Sequence, residues 1–349
     1  MTYQIALSRR LFASAIVLAG SAFALPKLQA QSKPEKSRVI IAVDGKQALS
    51  YLPLTIADQL GYFRAEGLDV QINDYADALG TGQAMLNGMA DVCSGSYERI
   101  LLLQAKSHNF NAFVLQGRAP QVAFGVSTRS LPAYAALADL KGKKLGISAL
   151  DSTASVMLQI LLKRGGLNAQ DVTLIPVGSS ANALAALRSG QIDALANTDP
   201  VMTVLEQKGE IKIISDTRTL KGAADLFGGL MPSACLFASA EFVQKNPNIC
   251  QALTSAMVHS LKWLQTAGPG DIINTLPENY LLGDRGLYLA SFNKIRQSIS
   301  TDGWMHDDGP PIALNALVQI DPTLRLAKID VTKTYTNEFV RRAKIRFRV

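Results

Sequence analysis

The chain repeats itself once, at a fixed distance of 102 residues. Val70-Gln71-Ile72 precedes Val172-Thr173-Leu174 by that distance, and Ala84-Met85 precedes Ala186-Leu187. Gly88 and Asp91 precede Gly190 and Asp193 in the same way. Each copy reads as a strand, a polar Gly/Ser-rich turn, a short helix, a glycine turn, an aspartate and a short apolar strand. Upstream, Gly67-Leu68 and Gly166-Leu167 match at 99 residues, so the second copy carries three more residues before its strand. One offset kept across strand, helix and turn indicates a duplicated βαβ unit. Two copies are too few for a solenoid, which needs at least three stacked units. Two similar lobes are the natural arrangement.

Strand-like and helix-like segments alternate through most of the chain. This predicts an α/β fold in which each lobe is a mostly parallel sheet flanked by helices. Val39-Ile40-Ile41-Ala42-Val43 reads as a buried strand. A helix follows with Leu52, Ile56, Leu60 and Phe63 on one face, Pro53 being tolerated in its first turn. Ala112-Phe113-Val114 and Val122-Ala123-Phe124-Gly125-Val126 are strand candidates, and a second strand–helix unit opens at Leu145-Gly146-Ile147-Ser148. Gly228-Gly229 and Pro232 punctuate the chain before Ala234-Cys235-Leu236-Phe237. The expected organisation is a signal peptide over 1–30, lobe one over 38–126 and 228–349, and an inserted lobe two over 127–227. The two hinge crossings are expected near Gly125 and Gly229. The 349 residues suffice for two cores of ordinary size.

Ser8-Arg9-Arg10-Leu11-Phe12 leads into an uncharged, mostly apolar run ending at Leu25, and Leu28-Gln29-Ala30 supplies small residues before a polar stretch. This is the order of a secretory signal, and Ser-Arg-Arg-x-Phe resembles the twin-arginine form of it. The apolar run is about 15 residues, short of the roughly 20 that span a bilayer. Export to the periplasm is the expected localisation. Net charge is +7. Without residues 1–30, 32 basic residues stand against 28 acidic ones, and no basic run is interleaved with aromatics. No nucleic-acid partner is expected, and Arg341 to Arg348 read as a solvated tail. The three cysteines, Cys93, Cys235 and Cys250, form no Cys-x-x-Cys, and Cys93 and Cys235 sit in apolar runs as small hydrophobes. His108, His259 and His306 are far apart, so neither a metal nor a cofactor is expected.

Four segments resemble the periplasmic solute-binding proteins of ABC importers, of the nitrate/sulfonate/taurine type, a superfamily that includes the thiamine-pyrimidine synthases. They are Tyr51-Leu52-Pro53-Leu54-Thr55-Ile56-Ala57 running on to Leu60-Gly61-Tyr62-Phe63, then Met85 to Val92, Leu140 to Gly146, and Leu187 to Ala194 with Asp199-Pro200. The resemblance implies the two-lobed, type II periplasmic-binding-protein fold. It also implies a small-molecule ligand in the interlobe cleft, a permease partner in the inner membrane, and a monomer.

In open α/β sheets ligands bind beyond the C-terminal ends of strands, where helix N-termini favour anions. After the first strand this selects Lys46, Ser50 and Tyr51. After the second it selects Gly80, Thr81 and Gly82, a Gly-x-Gly that lacks the third glycine and the downstream acid of a dinucleotide site. After Cys93 come Ser94, Gly95 and Ser96, and the 102-residue offset places Asn197, Thr198 and Asp199 at the matching tip of lobe two. Asp199-Pro200 reads as a helix cap. Ser152 and Thr153 follow the Ile147 strand, at a loop position the family also uses. Arg118 could supply a counter-charge. No nucleophile–base pair and no Gly-x-Ser-x-Gly is present, so the expected function is binding and not catalysis. The expected ligand is a small polar or anionic organic molecule of the sulfonate, nitrate or carboxylate class, held by hinge closure. The alternatives are a thiamine-pyrimidine-synthase-like enzyme and an orphan sensory binding subunit.

Overall fold

The computed structural model describes residues 33–75, 78–281 and 283–349. The export-signal reading at 1–30 lies outside the described residues. Strands β1 (Arg38–Asp44), β2 (Asp69–Tyr75), β3 (Val92–Ser96), β4 (Phe110–Leu115), β5 (Val122–Ser127), β6 (Lys144–Ile147), β7 (Thr173–Pro176), β8 (Ala194–Thr198), β9 (Ile211–Asp216) and β10 (Ala234–Ser239) make two five-stranded sheets. Their orders are β2-β1-β3-β10-β4 and β7-β6-β8-β5-β9. The two sheets share one topology. Three parallel strands come first, and an antiparallel strand, β10 or β5, separates them from the last. Each antiparallel strand is the one that has just arrived from the other lobe.

This corrects the boundary expected at residue 126. Val122–Ser127 pairs with β8 and β9, Phe124 lying opposite Ala196, so the lobe-one sheet ends at Leu115 and the chain crosses over 116–121. All six β5 residues are buried. A strand covered on both faces shows no alternation, so its sequence carries no mark of which lobe it serves. The return crossing lies between Phe227 and Ala234. It runs beside the first, with Ser233 N donating to Gly117 O at 2.9 Å.

Helices α1 (Leu52–Gln59), α2 (Tyr62–Ala65), α3 (Ala78–Leu86) and α4 (Glu98–Ala105) belong to lobe one. Helices α5 (Thr153–Arg164), α6 (Ala181–Ser189), α7 (Val201–Gln207) and α8 (Leu220–Phe227) belong to lobe two. After the return come α9 (Ala240–Lys245), α10 (Pro247–Thr266), α11 (Pro269–Thr275), α12 (Arg285–Ile295), α13 (Gly309–Ile320) and α14 (Glu338–Phe347). The single helix expected from Leu52 to Phe63 is broken at Gly61, whose φ of 71° separates α1 from α2. The C-terminal basic stretch is a helix and not a tail. Phe339, Val340 and Ala343 recur at helical spacing and bury against α10, and Arg346 pairs with Glu66 at 2.7 Å. α10 itself buries Ile249, Leu253, Met257 and Leu261, each contributing about 1.5–3 kcal/mol.

The repeated residues are scaffold. Gly88 and Gly190 both follow a helix and take left-handed φ of 68° and 78°, a conformation that costs other residues a Cβ clash. Asp91 Oδ2 accepts from Ile40 N, and Asp193 Oδ2 accepts from Lys144 N, both at 2.9 Å. The same clamp thus ties the third strand of each sheet to the first.

Candidate functional site

A cavity of about 80 Å³ lies where the two sheets' C-terminal strand tips face one another. Lobe one supplies Asp44, Gly45, Ser50, Tyr51, Ser96 and Arg99, and lobe two supplies Ser148, Ser152, Thr153, Gly178, Ser179 and Thr198. A neighbouring pocket of about 580 Å³ shares Ser148, Ala149 and Gly178 with it and adds Leu79, Leu150, Pro176 and Val177. The lobes touch across this cleft. Leu49 N donates to Asp199 O at 3.1 Å, and the Thr153 hydroxyl donates to Glu98 Oε1.

Six of the residues selected from sequence line the cavity: Ser50, Tyr51, Ser96, Ser152, Thr153 and Thr198. Two of them matter most. Ser96 ends β3 and Thr198 ends β8, 102 residues apart, so they occupy the same place in the two copies. Their side-chain oxygens are buried and lack a well-formed hydrogen bond. A buried polar atom left unbonded costs stability, and it persists where a ligand completes it. Ser152 is spent locally, accepting from Ser155 N at 3.3 Å and donating to Ala149 O at 2.6 Å.

The other nine do not line the cavity, each for a visible reason. Lys46 sits in the turn after β1, held by its N–H to Asp74 Oδ1 at 3.0 Å. Gly80, Thr81 and Gly82 lie inside α3, and only Thr81 reaches toward the site, through Arg99. Ser94 is fully buried and accepts from Gln116 Nε2 at 2.9 Å. Gly95 is packed against Cys93, Phe237 and Arg99. Asn197 bonds Gly178 O at 2.8 Å. Asp199 accepts from Thr203 N at 2.8 Å and pairs with the buried Arg218 at 3.3 Å. Arg118 is turned to Gln297 O at 2.8 Å and stays outside the cavity.

Sequence reasoning missed the charged core of the site. Arg99, 7% exposed, is the second residue of α4, which starts directly after the Ser94–Tyr97 tip. Its Nη2 donates to Asp44 Oδ2 at 3.2 Å and its Nη1 to Thr81 Oγ1 at 2.5 Å, while Nε has no partner. Asp44 Oδ1 accepts from Tyr51 Oη at 2.9 Å. Burial works against the guanidinium's charge, but Asp44 restores it and holds Arg99 protonated. Burial, aided by Asp44, pushes the Tyr51 phenol up. Burial also raises the Glu98 carboxyl, only partly offset by its bond from Thr153 and by Arg99. The Ser96 hydroxyl lies close enough to the Glu98 carboxyl to favour its charged form, although neither Ser96 Oγ nor Glu98 Oε2 makes a well-formed hydrogen bond. The signal available in the sequence was an acid–base pair, Glu98-Arg99, set at the start of an otherwise apolar helix. Among the described residues no group of three or more His, Cys, Asp or Glu side chains is placed to hold a metal ion.

Two mixed five-stranded sheets, crossed twice by the chain and enclosing a polar cleft, define the periplasmic-binding-protein fold. The chain belongs to the NMT1/THI5 like family, whose model matches residues 49–267. A solved protein from Bordetella bronchiseptica RB50 is 49% identical, covering 91% of this chain and 100% of its own length with a TM-score of 0.88. The alkanesulfonate-binding protein SsuA from Xanthomonas axonopodis pv. citri, solved with bound MOPS, is 19% identical over 87% of this chain and 99% of its own, at a TM-score of 0.65. The periplasmic nitrate-binding protein NrtA from Synechocystis PCC 6803 is 15% identical over 90% of each chain, at 0.68. These last two share the fold.

Proposed function

We propose that this chain is the exported solute-binding component of an ABC importer, and that it holds a small polar organic molecule between its lobes. The observation that carries the reading is the pair Ser96 and Thr198, equivalent tips of two lobes that line one cavity and whose buried hydroxyls lack a well-formed hydrogen bond. A ligand bonded to both shifts the population toward the closed arrangement, which the permease then recognises. The names of the structural neighbours, sulfonate- and nitrate-binding, favour a solute of that size. Among the described residues no helix is long and apolar enough to cross a membrane, which agrees with delivery by a mobile carrier. Cys93 lies behind the cavity wall, and burial pushes its thiol up to about 12, so it offers no nucleophile. Binding without chemistry is therefore the reading the site favours.

A thermal-shift panel of nitrate, sulfonates, aromatic carboxylates and pyrimidines tests this. A ligand at a hundred times its Kd adds about 2.7 kcal/mol to stability and raises the melting temperature. If no member of the panel moves it, and neutral and cationic amides and amidines of the same size do not either, the solute-binding reading fails.

A further inference from the structure

The charge around the cleft runs against a strong anion. Among the described residues, Arg99 is the one basic residue lining the cavity and the pocket beside it, and it is already engaged with Asp44. Asp151 lines the neighbouring pocket, and Glu98 stands behind the cavity wall. Three carboxyl groups thus surround one guanidinium. None of them is an Asp91 or Asp193 clamp, so the duplicated scaffold does not account for them.

Glu98 also occupies the place an incoming anion would want. Thr153 is the first residue of α5, a twelve-residue helix whose N-terminus attracts negative charge. The carboxyl group bonded to its hydroxyl comes from the opposite lobe of the same chain. The buried atoms without a well-formed hydrogen bond include the Ser96 and Thr198 hydroxyls, Glu98 Oε2 and the Arg99 Nε donor. A strong acid would gain the Arg99 N–H and the hydroxyls, but would face carboxyl groups on two sides. A ligand carrying N–H donors meets the Asp44 and Asp151 carboxylates in the lining, with Glu98 behind it, and its remaining acceptor can face Arg99. The neighbouring pocket, with Leu79, Leu150 and Val177 in its wall, accommodates an apolar ring or chain.

Resting on the solute-binding reading, we propose that the cleft selects a neutral or cationic ligand bearing N–H donors, of the amide or amidine class, over an acid of the same shape. Glu98 is the positioning residue that sets this preference. It holds Thr153 and places a carboxyl group behind the cavity wall, where its charge acts on the cleft without a direct bond to the ligand.

Benzamidine, benzamide and benzoate share one skeleton and differ in charge. Calorimetric titration of the exported chain with all three is expected to rank benzamidine and benzamide above benzoate, by about tenfold or more for the cation. Glu98→Gln, which keeps the shape and removes the charge, is expected to narrow the benzamidine-to-benzoate ratio several-fold without lowering the melting temperature. Asp151→Asn, in an exposed loop, is expected to narrow it in the same direction and guards against a folding defect at Glu98. A benzoate affinity equal to or above that of benzamidine would overturn the proposal. A ratio unmoved by either variant would overturn it as well, and so would the failure of all three probes to bind. The solute-binding reading falls only if the wider thermal-shift panel is also silent.

Discussion

Ser96 and Thr198 each place a hydroxyl in a buried position without a well-formed hydrogen bond. In the protein alone that arrangement costs stability, and in the complex it gives affinity. Ser96→Ala and Thr198→Val should therefore leave the melting temperature unchanged or raise it. Each should weaken ligand binding about 3–10-fold, as loss of one hydrogen bond predicts. A drop in melting temperature with unchanged affinity would show that the hydroxyls serve the fold. Glu98 carries a pH signature. Burial raises its carboxyl above the ordinary 4.5, so the folded protein holds that proton more tightly than the unfolded chain. The stability it contributes is complete below about pH 4.5 and is lost as pH rises through its folded value. Glu98→Gln should accordingly melt a few degrees higher than the native chain at about pH 7.5 and alike at about pH 4. Equal melting temperatures at both would contradict a buried, titrating carboxyl. The two hydroxyls were legible in the sequence because the repeat pointed at them. Arg99 and Asp44 were not, because their pairing joins residues 55 apart and nothing in either segment announces the other.

At the scale of elements, lobe two is fastened by its own buried arginine. Arg218 has no exposed surface, and its guanidinium bonds Asp199, Glu206 and Asp216 at 3.3, 3.0 and 2.7 Å. It joins the tip of β8, the end of β9 and helix α7, and so holds Thr198 in place. Arg218→Met removes the cation paired with the fully buried Asp199 and should cost about 3–5 kcal/mol. Urea unfolding measures this, and a loss below about 1 kcal/mol would contradict a structural role for the cluster. Most elements were legible here, since the apolar spacing of α1, α5 and α10 and the short apolar runs of β1, β6 and β8 each carry one period. The exceptions have physical causes. β5 is buried on both faces and looks like a continuation of lobe one. α14 looks like a tail because its basic residues outnumber the apolar ones that dock it on α10.

For the whole molecule, the duplicated topology explains why the cleft is symmetric in scaffold and asymmetric in charge. The two sheets bring equivalent tips together, while Arg99, Glu98 and Asp44 come from lobe one alone. The lobes also meet on the far side of α7, where Lys294 of α12 pairs with Glu206. Both side chains are about a third exposed, so that pair contributes under about 1 kcal/mol and does not lock the lobes together. The larger meeting of the lobes is apolar: Ala313, Ala316 and Leu317 of α13 pack in one cluster with Met157, Leu158 and Leu161 of α5, and Ser298 Oγ donates to Arg218 O at 2.5 Å. Leu79 on α3 and Leu150 after β6 stand on opposite lobes at the mouth of the cleft, 65% and 63% exposed. The native cysteines are all buried, so spin labels at Leu79→Cys and Leu150→Cys report this distance specifically. Pulsed electron–electron resonance on the labelled chain, with and without a ligand that raises its melting temperature, measures the central claim directly. The account predicts that ligand shortens and narrows the distance distribution, and that Ser96→Ala with Thr198→Val abolishes the change. The same distribution in the presence and absence of ligand would contradict it.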